Sequence, residues 1–329
     1  VMQRITVIGA GAWGTALAAV ARRAGRDVVL HAHEAETAAA INADHENRVF
    51  LPGIELDPAI EATDNLAHAA DGADAIVMVT PAQFLRPTLA AIAPASGTPM
   101  IICSKGIELD TGKLMNEVAA EAAPGAELAV LSGPTFAAEV ARGLPTAVTL
   151  ACADANTATR LATALGTPSF RPYTSNDLVG AEVGGAIKNV IAIACGIVEG
   201  RALGQNARAA VIARGLAEIA RFAAALNADS RTLMGLSGLG DLTLTCTSTA
   251  SRNYTLGEAL GSGASYADAI AGKASVAEGA TTAPAVLTRA KALGVEMPIC
   301  AAVSAILHDG ASVDETITDI LARPLRAEG

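Results

Sequence analysis

Short apolar stretches alternate with segments of helical periodicity through the first 175 residues of the chain. Runs of four or five apolar or β-branched residues bounded by turn residues predict β-strands. Such alternation of strands and helices is typical of a largely parallel sheet. The strands are predicted at residues 5–8, 28–30, 75–79, 100–103 and 128–131, with two later strands, at 147–151 and 169–171, that fit an antiparallel arrangement.

From Ser175 onward the pattern becomes helical, and no segment predicts a strand convincingly. Apolar residues recur at helical spacing from Val179 to Val198, so that face is expected to lie in a core. Further helices are predicted at residues 206–226, 254–260, 266–271, 281–293 and 299–308. We therefore expect an α/β protein. A Rossmann-type, mostly parallel sheet domain (1–180) would be followed by an all-helical domain (181–329).

The first predicted strand ends in a glycine-rich loop, and an alanine-rich helix follows at once. The loop has the spacing Gly9-x-Gly11-x-x-Gly14. In a strand–turn–helix context these glycines allow a tight turn, a close approach of phosphate to the backbone, and packing of the helix on the strand. The free N–H groups of the helix N-terminus would then suit a pyrophosphate. Dinucleotide binding is favoured over a merely structural turn.

The end of the second predicted strand bears on the choice of cofactor. An acid at this place binds the adenosine ribose of NAD, whereas a cation binds the additional phosphate of NADP. Glu34 lies about 20 residues past Gly14, where the acid is expected, and His33 could instead meet a phosphate. The pattern supports either cofactor, with a slight preference for NADP over NAD.

Composition and charge exclude several classes of partner. The 329 residues are 51% apolar and carry a net charge of −10, with no basic run. Nucleic acids and anionic membranes are therefore poor partners. Charges interrupt every window of membrane-spanning length, and the N-terminus lacks a signal-peptide pattern, so a cytoplasmic protein is expected. Five dispersed cysteines without a C-x-x-C motif indicate reduced thiols, and no metal site is expected.

Polar residues follow three of the predicted parallel strands, where ligands of such sheets gather. The segments that contain these residues are Thr80-Pro81, Lys105-Gly106 and Gly133-Pro134-Thr135. Pro134 also predicts a helix that begins at that residue. In the helical half, Lys188 lies at the border of the apolar face, between the small residues Gly184 and Ala192. A half-buried lysine beside glycine is a candidate general acid or base, although a snorkelling surface lysine fits equally well.

A second polar cluster runs from Gly240-Asp241 through Thr245 to Ser251-Arg252-Asn253. Ser251 is a good N-cap for the helix that follows, and a helix N-terminus attracts anions. The guanidinium of Arg252 could bind a phosphate in bidentate fashion. A capped surface helix with a solvated arginine is the simpler alternative.

Seven sequence blocks together resemble the bacterial-type NAD(P)-dependent glycerol-3-phosphate dehydrogenases, in the order typical of that family. The blocks are Gly9-Ala-Gly-Ala-Trp-Gly-Thr-Ala-Leu-Ala, Ser104-Lys-Gly, Leu131-Ser-Gly-Pro-Thr-Phe-Ala-x-Glu139, Gly184-Gly-Ala-x-Lys-Asn-Val190, Gly238-Leu-Gly-Asp-Leu-x-Leu-Thr-Cys-Thr247, Ser251-Arg-Asn253 and Glu278-Gly279. The resemblance implies hydride exchange between a nicotinamide and C2 of dihydroxyacetone phosphate or sn-glycerol 3-phosphate. It also implies a supply of glycerol 3-phosphate for phospholipid synthesis, and a homodimer.

The resemblance assigns a role to each matching residue. Lys188 is implied as the proton donor or acceptor at the C2 oxygen, with Asp241 as its carboxylate neighbour. Both also match substrate-binding positions, as do Lys105, Gly133, Thr135, Ser251, Arg252 and Asn253. Besides Gly9, Gly11 and Gly14, the implied cofactor positions are Ala12, Trp13, His33, Lys105, Ala137, Arg252, Val276 and Glu278. Ala12 stands where serine is frequent and His31 where tryptophan is frequent, and both departures bear on cofactor preference.

Two alternative functions remain open, and one physical expectation follows. A related two-domain hydroxyacid dehydrogenase would share the glycine loop and the helical domain, but not Thr-Cys-Thr followed by Ser-Arg-Asn. A non-catalytic NAD(P)-sensing protein would leave Lys188, Asp241 and Arg252 unexplained. If Asp241 lies near Lys188, its charge favours the ammonium form, so reduction should be the easier direction at neutral pH.

Overall fold

A computed structural model of the chain describes residues 2–92, 94–272 and 277–324. Its N-terminal half is built on an eight-stranded sheet with the order β3-β2-β1-β4-β5-β6-β7-β8. The strands are β1 (Arg4–Ile8), β2 (Asp27–His31), β3 (Ile60–Thr63), β4 (Ala75–Met78), β5 (Pro99–Ile102), β6 (Glu127–Ser132), β7 (Thr146–Cys152) and β8 (Phe170–Ser175).

The direction of the strands agrees with the prediction. The first six strands are parallel, β7 pairs antiparallel with β6, and β8 is parallel to β7. Because β4, β5 and β6 are neighbours, their carboxyl ends bring Thr80, Lys105 and Gly133 to one edge of the sheet. The Oγ of Ser104 donates a hydrogen bond to the carbonyl of Thr80 at 2.5 Å, which joins two of these strand ends.

Strand β3 was not predicted from the sequence. Its residues, Ile60-Glu-Ala-Thr63, alternate between buried and exposed positions and include only two apolar side chains. It lies at the edge of the sheet and pairs with β2 alone. A short edge strand with one solvated face has too few apolar residues to be recognised by pattern.

Seven α-helices are described in the sheet half. They are α1 (Ala12–Arg23), α2 (Ala35–Asp44), α3 (Leu66–Ala70), α4 (Leu85–Ile92), α5 (Met115–Ala122), α6 (Ala137–Ala141) and α7 (Ala155–Leu165). The expectation that a helix begins at Pro134 is wrong. The N-cap of α6 is Phe136, so residues 133–135 lie in the connection between β6 and α6.

The rest of the described chain is helical. It comprises α8 (Leu178–Gly200), α9 (Gly204–Ala225), α10 (Ser230–Leu233), a π-helical turn (Leu236–Gly240), α11 (Asp241–Cys246), α12 (Arg252–Gly261), α13 (Tyr266–Ile270), α14 (Glu278–Ala292), α15 (Pro298–His308) and α16 (Val313–Leu321). All the helices predicted for this half are confirmed, whereas α10, α11 and α16 were missed.

Helix α8 forms the centre of the helical half. It is long and apolar enough to cross a membrane by length and composition, yet 94% of its most apolar 18-residue window is buried inside the protein. Helices α9, α11, α12 and α14 pack around it. A helix that is apolar on every side is typical of the centre of a large core.

The loop after β5 ties the two halves together. Ile107 and Leu114 form an isolated antiparallel bridge, and both side chains belong to the apolar core of the helical half. Lys105 lies between strand β5, which belongs to the sheet, and this inserted loop. The loop therefore holds Lys105 between the sheet and helix α8.

Candidate active site

The glycine loop has the geometry of a dinucleotide cradle. Gly9 has φ +111°, and a Cβ on Gly14 would lie 1.8 Å from the carbonyl oxygen of Gly9, so both positions require glycine. A Cβ on Gly11 would meet nothing within 4 Å, which leaves its outer side open. Helix α1 begins at the next residue with no side chain capping its N-terminus. Its first N–H groups are therefore available to an anion.

Two polar atoms beside this loop fit the same ligand. The indole Nε1 of Trp13 and the Oγ1 of Thr80 are buried and have no hydrogen-bond partner among the described residues. Buried polar groups normally find a partner, so these two atoms are available to a bound molecule. Together with the open side of Gly11, they support the fit of a dinucleotide to this crevice.

The remaining expected cofactor positions lie in different surroundings. His33 and Glu34 lie two and three residues after the end of β2, and both are exposed, so the structure leaves the choice between NAD and NADP open. Ala12 and Ala137 are half-buried in the first turns of α1 and α6, two helices that pack together. Val276 lies outside the described residues.

A carboxylate between two lysines forms the centre of the site. Asp241, the first residue of α11, is fully buried, and its Oδ1 accepts a hydrogen bond from the Nζ of Lys188 on α8. Its Oδ2 accepts a second hydrogen bond from the Nζ of Lys105 at 2.7 Å. The sheet half supplies one ammonium, whereas the helical half supplies the other and the acid.

Lys188 is more deeply buried than its sequence pattern indicated. It was expected to be half-buried at the border of an apolar face, but only 6% of the residue is exposed, because α8 is covered on all sides. Burial lowers the pKa of Lys188 to about 8, although the charge of Asp241 opposes this change and that of Lys105 adds to it. The charge of Asp241 therefore favours the ammonium form, as the sequence led us to expect, but desolvation is the larger effect.

A pKa near 8 still leaves Lys188 mostly protonated at pH 7, by about ten to one. An amine with a pKa close to the working pH can both donate and accept a proton. The Nζ of Lys188 also donates to the Oγ1 of Thr245 at 2.9 Å, and this hydroxyl donates to the carbonyl of Asp241 at 2.7 Å. Thr245 was noted in the sequence without a role. It follows Asp241 by four residues on one helix, and this spacing could have revealed the contact.

The Ser251-Arg252-Asn253 segment begins helix α12 as expected. Ser251 is the N-cap, and its Oγ accepts the N–H of Tyr254 at 3.3 Å. The side-chain oxygen of Asn253 accepts the N–H of Gly279 at 2.9 Å, which fastens α12 to the start of α14. Arg252 at the first helical position is exposed, so its guanidinium can reach a ligand.

Glu278 completes the charged surroundings of the crevice. Burial raises the pKa of its carboxyl, whereas the charges of Arg252, Lys105 and Lys188 act in the opposite direction. These three cations therefore lie within electrostatic reach of one group at the start of α14. Lys105 follows the carboxyl end of β5, so Asp241 and Lys188, which it joins, lie at the edge of the sheet where ligands of this fold bind.

Gly133 and Thr135 lie at the same edge. The Nζ of Lys105 lies 3.5 Å from the carbonyl oxygen of Gly133, and the hydroxyl of Thr135 donates to that carbonyl at 3.2 Å. A Cβ on Gly133 would come within 3.0 Å of the Cα of Val148 in β7, so the strand end requires glycine. In the described part of the chain, no three His, Cys, Asp or Glu residues are grouped as a metal ion would need.

Comparison with known proteins identifies relatives along nearly the whole chain. Residues 4–158 match the family model described as the N-terminus of NAD-dependent glycerol-3-phosphate dehydrogenase, and residues 177–318 match the corresponding C-terminus. The glycerol-3-phosphate dehydrogenase (NAD(P)+) of Caulobacter vibrioides is 58% identical over 328 residues, which is 99% of each chain. That of Rhodospirillum rubrum is 57% identical over 331 residues, covering 100% of this chain and 95% of the relative.

A solved structure agrees with these relatives. The crystal structure of glycerol-3-phosphate dehydrogenase from Coxiella burnetii superposes with a TM-score of 0.94 at 35% sequence identity, covering 98% of this chain and 99% of that one.

Proposed function

The chain belongs to the NAD-dependent glycerol-3-phosphate dehydrogenase family, and we propose that it interconverts dihydroxyacetone phosphate and sn-glycerol 3-phosphate with NADP(H) or NAD(H). The family match over both halves of the chain is the observation that supports this function most strongly. The usual metabolic consequence is a supply of glycerol 3-phosphate for phospholipid synthesis.

Lys188 is proposed as the proton donor and acceptor of the reaction. When bound, the nicotinamide cofactor supplies or takes up the hydride at C2 of the substrate. In the direction of reduction, the Lys188 ammonium gives its proton to the C2 oxygen as negative charge develops there. In the direction of oxidation, the neutral amine removes the proton from the C2 hydroxyl. The pKa of about 8 supports both roles.

Asp241 and Lys105 are proposed to hold this amine in place and to bind the substrate. The Asp241 carboxylate, shared between two ammonium groups, directs the Nζ of Lys188 and stabilises its charged form. Lys105 lies beside Gly133 and Thr135, where it can also contact the oxygens of the substrate and the cofactor. The arrangement leaves a net positive charge next to the C2 oxygen, which gains alkoxide character as the hydride reaches C2, and this favours the transition state.

The phosphate of the substrate is proposed to bind at the start of α12. Helix N-termini bind phosphate through free N–H groups and the helix dipole. Exposed Arg252 adds a charge-assisted contact, and the buried residues Ser251 and Asn253 fix the backbone of this turn. Binding energy from the phosphate can then orient C2 against Lys188.

A spectrophotometric assay tests the function directly. Purified protein should oxidise NADPH, and also NADH, in the presence of dihydroxyacetone phosphate, with a modest preference for NADPH. Turnover of 2-oxo acids without turnover of dihydroxyacetone phosphate would instead indicate a hydroxyacid dehydrogenase. Tight binding of NAD(P)H with no turnover of either substrate would indicate a sensor.

Three further proposals rest on more general observations. We place the boundary between the dinucleotide-binding and catalytic domains near Gly180, and the start of α8 at Leu178 supports this division. The protein is proposed to act in the cytoplasm, which is supported by five free, buried cysteines. A homodimer is proposed from family likeness, and sedimentation analysis would test it.

A further inference from the structure

The segment that precedes Asp241 has an unusual backbone. Residues Leu236–Gly240 form a π-helical turn, and the N–H of Gly240 donates to the carbonyl of Gly235 at 3.1 Å, five residues back. Helix α11 begins with Asp241 at the next residue. Such turns are rare and occur mostly at functional sites. This turn, with the two residues before it, joins α10 to the carboxylate that binds both lysines.

Helix α8 and the π-helical turn meet without space for a side chain. A Cβ on Gly184 would lie 2.4 Å from the carbonyl oxygen of Ser237 and 3.1 Å from the Cα of Gly238. Gly184 is buried and precedes Lys188 by four residues, one turn of the same helix. The Lys188 amine and the π-helical turn that precedes Asp241 are therefore both held by α8, at adjacent turns of the helix.

On its opposite side, the π-helical turn packs just as closely against the end of α10. A Cβ on Gly238 would lie 2.0 Å from the carbonyl oxygen of Leu233, at the end of α10. Ser237 is fully buried, and its Oγ has no hydrogen-bond partner among the described residues. Backbone contacts, rather than side-chain hydrogen bonds, therefore set the position of the turn.

We propose that the π-helical turn, held between Gly184 of α8 and the end of α10, positions Asp241 between Lys188 and Lys105. Gly184 and Gly238 are then positioning residues for the reaction, although neither touches a reacting atom. This inference rests on the proposed pairing of Lys188 with Asp241 as the proton-transfer unit. A small displacement of the turn would move the carboxylate away from both ammonium groups.

Displacement of Asp241 should lower the pKa of Lys188. Among the described residues, the titratable groups around its amine are Asp241 and Cys246 on α11, Lys105 after β5, and Glu278 on α14. The hydrogen bond with the neighbouring Cys195, together with burial, raises the pKa of the Cys246 thiol well above its ordinary value, so it stays uncharged. Displacing Asp241 weakens the closest anion, while burial and Lys105 continue to disfavour the ammonium. The pKa of Lys188 must then fall.

Gly184→Ala with a matched control tests the proposal. Gly200→Ala introduces a similar clash on the same helix, because its Cβ would lie 2.3 Å from the carbonyl oxygen of Glu258. Glu258 lies in the C-terminal half of α12, far along the helix from its start at Arg252. The pKa of Lys188 is measured by NMR titration of its side chain, assigned with Lys188→Met, in the full-length protein. We expect Gly184→Ala to lower this pKa by about one unit or more, and Gly200→Ala to leave it unchanged.

The rate of reduction gives a second readout. The descending limb of its pH profile should move to lower pH in Gly184→Ala, whereas a general structural loss would lower the rate without moving the limb. Ser237→Thr adds one methyl group to the fully buried turn and is a milder variant if Gly184→Ala does not fold. It should shift the pKa in the same direction.

Asp241→Asn separates failure of this inference from failure of the proposed function. An unchanged pKa in Asp241→Asn would refute the underlying pair. A lowered pKa in Asp241→Asn, together with an unchanged pKa in folded Gly184→Ala or Ser237→Thr, would overturn only the positioning role of the turn.

Discussion

At the scale of single residues, the sequence predicted the position of Lys188 on a helix but not its burial. Periodicity placed Lys188 on a helix and marked it as a candidate acid or base. It did not predict the burial of the lysine, because the cover comes from α11, α12 and α14, which follow much later in the chain. Its contact with Asp241 spans 53 residues, and that of Lys105 spans 136. Family likeness suggested the first pair, but only the fold shows that one carboxylate serves both lysines.

Asp241→Asn should impair reduction most strongly at neutral and alkaline pH. The amide keeps the size of the side chain but removes the charge that supports the Lys188 ammonium, so the pKa of Lys188 falls below about 8. We expect the rate of reduction at pH 7 to drop by about tenfold or more. Rates in both directions between pH 6 and 9 measure the effect, and an unchanged rate of reduction would contradict the pairing.

Arg252→Ala should selectively weaken the binding of phosphorylated substrates. A charge-assisted hydrogen bond to phosphate contributes about 1.5–3 kcal/mol, so kcat/KM for dihydroxyacetone phosphate should fall by roughly 10- to 100-fold. The slow oxidation of unphosphorylated glycerol should be nearly unaffected. Arg171→Ala removes another exposed guanidinium, on β8, and serves as the control. Equal losses with both substrates would argue against a phosphate contact.

At the scale of elements, most of the long segments in the helical half were predictable, whereas several short segments and the nine-residue α16 were missed. The central strands and α8, α9, α12, α14 and α15 could be predicted, since each buries a regular apolar pattern. The edge strand β3 and the short helices α10 and α11 depend on neighbours distant in sequence. The π-helical turn has no local signal beyond its glycines, because contacts with α8 and α10 determine its backbone.

Helix α15 provides a stability prediction at this scale. The buried carboxylate of Glu218 on α9 accepts the N–H groups of Ile299 and Cys300, at 2.6 and 3.3 Å, and so caps α15 from another helix. Glu218→Ala leaves these donors buried and unpaired, which should lower the free energy of unfolding by about 2–4 kcal/mol. Glu218→Gln keeps one acceptor and should lose less. Urea denaturation checks this order, and equal stability of all three proteins would contradict it.

At the scale of the molecule, the site exists because two halves of the chain share one edge. The sheet supplies the glycine loop and Lys105, and the helical half supplies Lys188, Asp241 and the start of α12. The inserted loop carrying Ile107 and Leu114 joins the two cores, so Lys105 keeps its place against Asp241. The sequence predicted both halves and their order, but their relative placement follows only from the packing between them.

The pH dependence of the reaction in both directions tests the central claim most directly. Reduction of dihydroxyacetone phosphate needs the Lys188 ammonium, and oxidation of glycerol 3-phosphate needs the neutral amine. The wild-type rate of reduction should therefore fall, and the rate of oxidation rise, across a pH near 8. Lys188→Met should lose about 10²- to 10⁴-fold in both directions. Rates that do not change between pH 6 and 10, or a Lys188→Met variant with wild-type turnover, would contradict the account.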